Sequence, residues 1–391
     1  MSRRTRQRAE LEHLCAAGAL SRAVDLAFAH FADYGPDEPL VDLLARALDR
    51  EATTPALRRR FNELCETRPA SGGRRGGSME QHAYDVVIVG GGAAGLSAAL
   101  VLGRARRRVA VIDAGAPRNA PAAHMQGFLS RDGMPPAELL AVGRAEVRTY
   151  GVEIVNDHVT SIEPGFTVHA AAGPVLTARR ILIATGVSDA LPDIDGAASR
   201  WGRDLLHCPY CHGWEVRDEP LGVLGSHAGA VQHALLVRQW SNDVIYFEHT
   251  QPLTPTERVE LHARGIRVVE GEVTRLVIAD DHLAGVELAD GHVEPRAAIF
   301  IRPTNTPHPQ GFLSPLSLER DRDGFLAVDP TGRTSAAGVW AAGTVVDPRL
   351  QVITAAGAGS AAAIAINADL VQEDLALELR RPEIGVASLP A

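Results

Sequence analysis

Tyr84-Asp85-Val86-Val87-Ile88-Val89-Gly90-Gly91-Gly92-Ala93-Ala94-Gly95 is the stretch whose reading decides the fold of this 391-residue chain. Asp85 to Val89 is a short apolar run of β-branched residues, the kind that forms a buried parallel strand. Gly90-x-Gly92-x-x-Gly95 follows at once, and an Ala- and Leu-rich helix then runs to Leu102. Arg108 to Ile112 returns as a second strand that ends in Asp113. In this order each glycine has a physical task. Gly90 permits a tight turn, Gly92 lets the backbone approach a pyrophosphate, and Gly95 lets the helix pack closely on the strand. Ala93 and Ala94 lie at the helix start, where free N–H groups and the positive dipole end favour phosphate. Asp113 is placed to hydrogen-bond a ribose hydroxyl. The basic run Arg104 to Arg108 reads as a solvated helix end.

The second informative stretch is Cys208-Pro-Tyr-Cys211, followed by His212. Two cysteines at this spacing close into a small reactive disulfide, and the same spacing suits half of a zinc site. A dithiol on the same chain as a dinucleotide fingerprint favours the redox reading, a disulfide oxidoreductase with no metal. Cys15 and Cys65 carry no motif and read as packing cysteines.

Composition bounds the rest. The length predicts two or three domains, and 46% hydrophobic residues suffice for sizeable cores. Aromatic residues make up only 5%, so packing relies on Ala, Val, Leu and Ile. A formal net charge of -9 argues against nucleic acid as a partner. The N-terminus is basic but lacks an apolar segment behind it, which argues against a secretory signal. No uninterrupted apolar run is expected to cross a bilayer, so no membrane partner is expected. Four cysteines make no disulfide framework, and a reducing cytoplasm is the expected setting.

Residues 1–66 read as a helical appendage, with Leu11, Leu14, Leu20, Val24, Phe28 and Phe31 recurring at helical spacing. Thr53-Thr54-Pro55 reads as a helix start with Thr as cap. Residues 67–80, rich in Gly and Arg, read as a flexible linker. The appendage is open to three readings: a docking module for a protein partner, a stabilising extension or dimer contact, or a dispensable segment upstream of an alternative start at Met79.

Further landmarks resemble the low-molecular-weight thioredoxin reductases over about Tyr84 to Asp369. Ile181-Leu182-Ile183-Ala184-Thr185-Gly186 resembles the strand and turn by which that family's chain leaves its flavin domain. Gly338-Val339-Trp340-Ala341-Ala342-Gly343 resembles the late flavin-binding strand. Arg349-x-Gln351-Val352-x-Thr354-Ala355-Ala356-Gly357 resembles the helix whose N-terminus faces the flavin pyrimidine. The resemblance implies FAD, a homodimer and an α/β fold of two Rossmann-like three-layer domains, with the helical appendage in front. It places the FAD domain at 81–192 and 303–370, an inserted NAD(P)-type domain carrying the CxxC at 193–302, and a tail at 371–391. It also implies that Cys208 is the outer thiol that meets the substrate and Cys211 the inner thiol beside the flavin. Gly343, Gln351 and Val352 would lie against the cofactor.

The chain departs from that family at several positions. Its second glycine-rich loop reads Gly225-Ser226-His227-Ala228-Gly229-Ala230, with His227 where the second glycine belongs. The following strand ends Phe247-Glu248-His249 instead of in phosphate-binding arginines, and a carboxylate there would repel a 2′-phosphate. Both changes oppose NADPH, unless the loop shifts to use Gly229. Thr344 stands where an Asp usually contacts the ribityl chain. His212 stands where an Asp follows the second Cys, and His207 precedes the first; an imidazole suits thiol proton transfer, and of the pair His212 is favoured for that chemistry, with a packing or capping role open to the other. Cys208-Pro-Tyr-Cys211-His212-Gly213-Trp214-Glu215 resembles the gliotoxin- and holomycin-type dithiol oxidases, which use FAD and oxygen. Arg118-Asn119 and His124-Met125-Gln126-Gly127-Phe128 fit the same subgroup, which implies that His124 and Gln126 line the flavin side of the site. The expected function is FAD-dependent electron transfer between a dithiol or disulfide substrate and the Cys208–Cys211 pair, with oxygen as acceptor. NADPH-dependent thioredoxin reduction and redox sensing are the alternatives.

Overall fold

The strand read from Asp85–Val89 spans His82–Val89 and lies inside a seven-stranded sheet in the computed structural model, which describes residues 3–17, 19–34, 40, 43–44, 46–47, 82–308 and 311–380. Parallel neighbours flank it on both sides: Val109–Asp113, with Glu153–Asn156 beyond, and Val175–Ile183. Alternation along the strand sends Val86 and Ile88 to one face and Val87 and Val89 to the other. All four are buried, which is why the segment reads as a continuous apolar run. The first face is covered by the helices Ala93–Arg104 and Val352–Leu379. The second packs on the antiparallel strands Val159–Glu163 and Thr167–Ala170 and on Leu313 and Leu326. The late strand Val339–Ala341 joins the sheet beside Val175–Ile183, in register Val339↔Ile181.

Between these passages the chain builds a second parallel sheet in the order Arg267–Val269, Val244–Phe247, Leu221–Leu224, Ala298–Phe300, Leu205–Leu206. Ile245 and Phe247 face a three-stranded meander over residues 273–294, whereas Val244 and Tyr246 face the helix Ala230–Val237. The outgoing chain at Val187–Ala190 pairs antiparallel with the returning chain at Thr304–Pro307. The molecule is therefore α/β with two stacked-layer sheets, as expected.

Two expectations are corrected. The helix expected to end near 370 runs Val352–Leu379, so residues 371–379 continue it instead of starting a tail. Its inner face buries Ala355, Gly359, Ala362, Ala363, Ile366 and Leu370. Ion pairs hold the continuation: Arg107–Asp374 at 2.8 Å, Arg179–Asp374 at 2.5 Å and Arg180–Glu373 at 2.8 Å. Exposed pairs of this kind contribute under about 1 kcal/mol each, so apolar packing carries most of the attachment. This helix is also long and apolar enough to cross a membrane by length and composition, contrary to the expectation of none; its buried face packs into the protein.

Residues 1–78 form a separate compact unit. Helices Arg3–Ala16 and Leu20–Tyr34 bury Leu11, Ala23, Val24 and Ala27 with Leu40 and Leu44. Cys15 is a free, half-buried thiol. Cys65, the expected helix start at Thr53-Thr54-Pro55, the linker at 67–80 and Met79 lie outside the described residues.

Candidate active site

The glycine fingerprint forms an open cradle. Gly90 has φ +108°, and a Cβ there would meet the Ala184 carbonyl carbon at 2.6 Å, so only glycine fits this turn. A Cβ on Gly95 would overlap the Gly90 carbonyl oxygen, the close helix–strand approach read from the sequence. At Gly92 a Cβ would meet nothing within 4 Å; the backbone there faces open space at the start of helix Ala93–Arg104. Asp113 accepts from the Gly91 N–H at 3.0 Å and pairs with Arg144, which pins the acid at the cradle rim. Thr185 Oγ1 is buried on the cavity wall without a hydrogen-bond partner in the structure. Gly343, with φ +87°, brings the turn after the late strand against Ala94, and Thr344 follows on the same wall. An open phosphate cradle, an orphaned hydroxyl and a helix N-terminus at Gln351–Val352 together fit a bound FAD.

One cavity of about 610 Å³ joins this cradle to the cysteines. Cys208 and Cys211 form a disulfide, with Cα atoms 5.2 Å apart. The short helix Pro209–His212 presents it, with Pro209 in the first turn and the Cys208 carbonyl accepting from the Cys211 and His212 N–H groups. Gln351 Nε2 lies 3.9 Å from Cys211 Sγ, so the inner cysteine touches the residue that caps the long helix. Arg118 makes a forked contact with Asp189 at 2.9 and 2.6 Å and donates to the Pro348 carbonyl, tying the cavity wall together.

Burial sets the proton chemistry. His207 is pushed down to about 4, first by burial and then by the charge of Arg118. His212 is also lowered by burial, against the opposing effect of Glu215. Both line the cavity and both are neutral near pH 7, and His207, the further depressed, is a weak base there. His233, which the sequence reading did not single out, is pushed down to about 3 by burial and by His207 and Arg302. It meets His207 edge-on at 6.3 Å.

Most residues expected at the site line this cavity, including Gly90, Gly92, Ala93, Ala94, Asp113, Arg118, Gly343, Thr344, Gln351 and Val352. Gly95 packs against the Gly90 carbonyl and, like His124 and Gln126, does not. Met125 pairs with Met134 in a β-bridge and is buried, while Gln126 is half-buried beside Gly127, on which a Cβ would lie 3.9 Å from Gln351 Nε2. His124 is exposed. Glu248 needs a second correction: it is not a free charge, because Arg258 pairs with it at 2.7 Å and the Leu253 N–H donates to it. Beside the second glycine-rich loop, the Arg302 guanidinium lies where a Cβ on Gly229 would project. Arg302, His233 and His308 escaped the sequence reading because no spacing links them to the cysteines. Among the described residues no cluster of three or more His, Cys, Asp or Glu side chains is placed to hold a metal.

Comparison with known proteins matches residues 84–360 to the pyridine nucleotide-disulphide oxidoreductase family. The thioredoxin reductase sirT of Leptosphaeria maculans is 32% identical over 315 residues, covering 75% of this chain and 96% of that protein. A thioredoxin reductase of Streptomyces coelicolor is 30% identical over 302 residues, covering 72% and 92%. Among solved structures, that of HlmI superposes with a TM-score of 0.75 at 54% identity, covering 78% of this chain and 98% of that one.

Proposed function

The chain belongs to the pyridine nucleotide-disulphide oxidoreductase family, and on that premise we propose that it oxidises a small dithiol to a disulfide, with oxygen as the final acceptor. It is an FAD-dependent oxidoreductase acting on sulfur groups. The observation that carries the dithiol-oxidase reading is the single cavity that holds the Cys208–Cys211 disulfide, two neutral histidines and the glycine cradle.

In this reading a substrate thiolate attacks Cys208 Sγ, and the Cys208–Cys211 bond breaks with its electrons leaving on Cys211. The second substrate thiol attacks the mixed disulfide; the oxidised substrate departs and Cys208 leaves as a thiolate. The dithiol gives up two protons in this half-reaction, with His212 as the accepting base, and the reduction of oxygen to hydrogen peroxide takes two up again. Gln351 holds Cys211 beside the N-terminus of the long helix. FAD, which the glycine cradle and that helix N-terminus would hold, would supply the two-electron acceptor that restores the disulfide and a path for the electrons to oxygen, giving hydrogen peroxide. A homodimer in a reducing cytoplasm is the working assembly, supported by the family resemblance and by the scarcity of other cysteines.

Anaerobic titration of the yellow protein tests this reading. No bleaching by NADPH or NADH, prompt bleaching by a small dithiol and recovery in air are expected. Rapid bleaching at stoichiometric NADPH would instead make it a nucleotide-dependent disulfide reductase.

A further inference from the structure

Three arginines line the cavity, and two are already neutralised. Arg118 is held by Asp189, and Arg349 by Asp347 at 2.8 Å. The two carboxylates on the cavity wall are committed in turn, Asp113 to Arg144 and Asp189 to Arg118. Arg302 remains. Among the described residues no carboxylate pairs with it, and its one hydrogen bond, to the Gly229 carbonyl, is long at 3.5 Å. It is half-buried, and its positive charge reaches His207 and His233 strongly enough to disfavour protonation of both. A half-buried guanidinium without a counter-ion, at the edge of a cavity, is a cation that a ligand can complete.

A second, independent feature also points to a ligand in this cavity. His233 is 7% exposed and lines this cavity, yet its Nδ1 has no hydrogen-bond partner. A buried ring nitrogen left without a partner is costly unless something in the cavity supplies one. Gln232, on the same helix, adds an amide to the same wall. An anion-binding guanidinium and an unfilled imidazole position therefore share one compartment with Cys208 and Tyr210.

We propose that Arg302 forms an anion subsite that binds a carboxylate carried by the dithiol substrate while its sulfurs reach Cys208. The proposal rests on the dithiol-oxidase reading and specifies its substrate class: an acidic small dithiol rather than a neutral one. A carboxylate fits better than a nucleotide pyrophosphate because the guanidinium already lies against Gly229, which occupies the space a pyrophosphate would take on that loop.

The test compares dihydrolipoate with dihydrolipoamide, which share a dithiol and a chain and differ in carboxylate against carboxamide. A charge-assisted contact predicts that kcat/KM in air favours the acid by about tenfold in the wild-type holoenzyme. Arg302→Gln should bring the ratio toward one, and Arg302→Lys should retain part of the preference. Equal use of the two dithiols by the wild type, or a preference that survives Arg302→Gln, would overturn the subsite. A reading independent of turnover is calorimetric binding of the oxidised ligands, lipoate and lipoamide, to the oxidised holoenzyme. If neither dithiol is oxidised but lipoate binds tighter and loses that advantage in Arg302→Gln, the oxidase reading fails and the subsite stands. Lipoate binding no tighter than lipoamide overturns the subsite whatever the turnover. Flavin bleaching by NADPH that disappears in Arg302→Gln would assign the guanidinium to a nucleotide phosphate and overturn it as well.

Discussion

Cys208 and Cys211 are chemically equal in the sequence and unequal in the fold. Cys211 touches the Gln351 amide at the cap of the long helix, whereas Cys208 begins the exposed turn that carries Tyr210. Cys211→Ser is therefore expected to abolish dithiol turnover while the protein stays yellow; turnover at the wild-type rate would reverse the assignment. The histidines give a pH prediction. His207 folded titrates at about 4 against an ordinary value of 6.5, so the unfolded chain binds more protons between those values. Its contribution to stability is complete above pH 6.5 and is lost as the pH falls toward 4. Thermal melts from pH 7 to 4.5 should show His207→Asn losing less stability than the wild type, and parallel losses would contradict the burial argument. The Cys-x-x-Cys pair and His212 were legible from spacing alone. How far His207 is depressed was not, because Arg118, Arg302 and the packing around it come from segments far away in the chain.

Among the elements, the helix Val352–Leu379 connects the cofactor cradle to the disulfide. Its cap reaches Cys211, and its second turn crosses the helix Ala93–Arg104 at Gly359. A Cβ at Gly359 would meet the Ala94 carbonyl carbon at 2.7 Å, with no flexible side chain to yield. Gly359→Ala should cost about 1–3 kcal/mol and displace the first turn of the cradle helix. A lowered melting temperature together with weaker FAD retention would show both effects; an unchanged melt would mean the two helices separate freely. The start of this helix was readable from Gln351-Val352 and the Ala-rich run behind it. Its end was not, because the acidic residues Glu373 and Asp374 look like a solvent-exposed stop until Arg179 and Arg180 are seen to face them. The same limit hid the surroundings of His124 and Gln126: their motif was visible, but the bridge between Met125 and Met134 joins separate segments.

For the whole molecule, residues 79–391 contain every residue of the cavity, and residues 1–78 form their own compact unit. Removal of 1–78 is therefore expected to leave flavin content and dithiol turnover unchanged. Loss of either, measured on the purified shortened chain, would give the appendage a direct part in the site. The sequence by itself determined the parallel-sheet fold, the phosphate cradle and the redox pair, because each is encoded by residues a few positions apart: β-branched runs, glycine spacing, Cys-x-x-Cys. Only the tertiary structure decided which charges are spent and which remain. Arg118 and Asp189, Glu248 and Arg258, and the uncommitted Arg302 are indistinguishable as letters, and pairing and burial are settled by packing between segments distant in the chain.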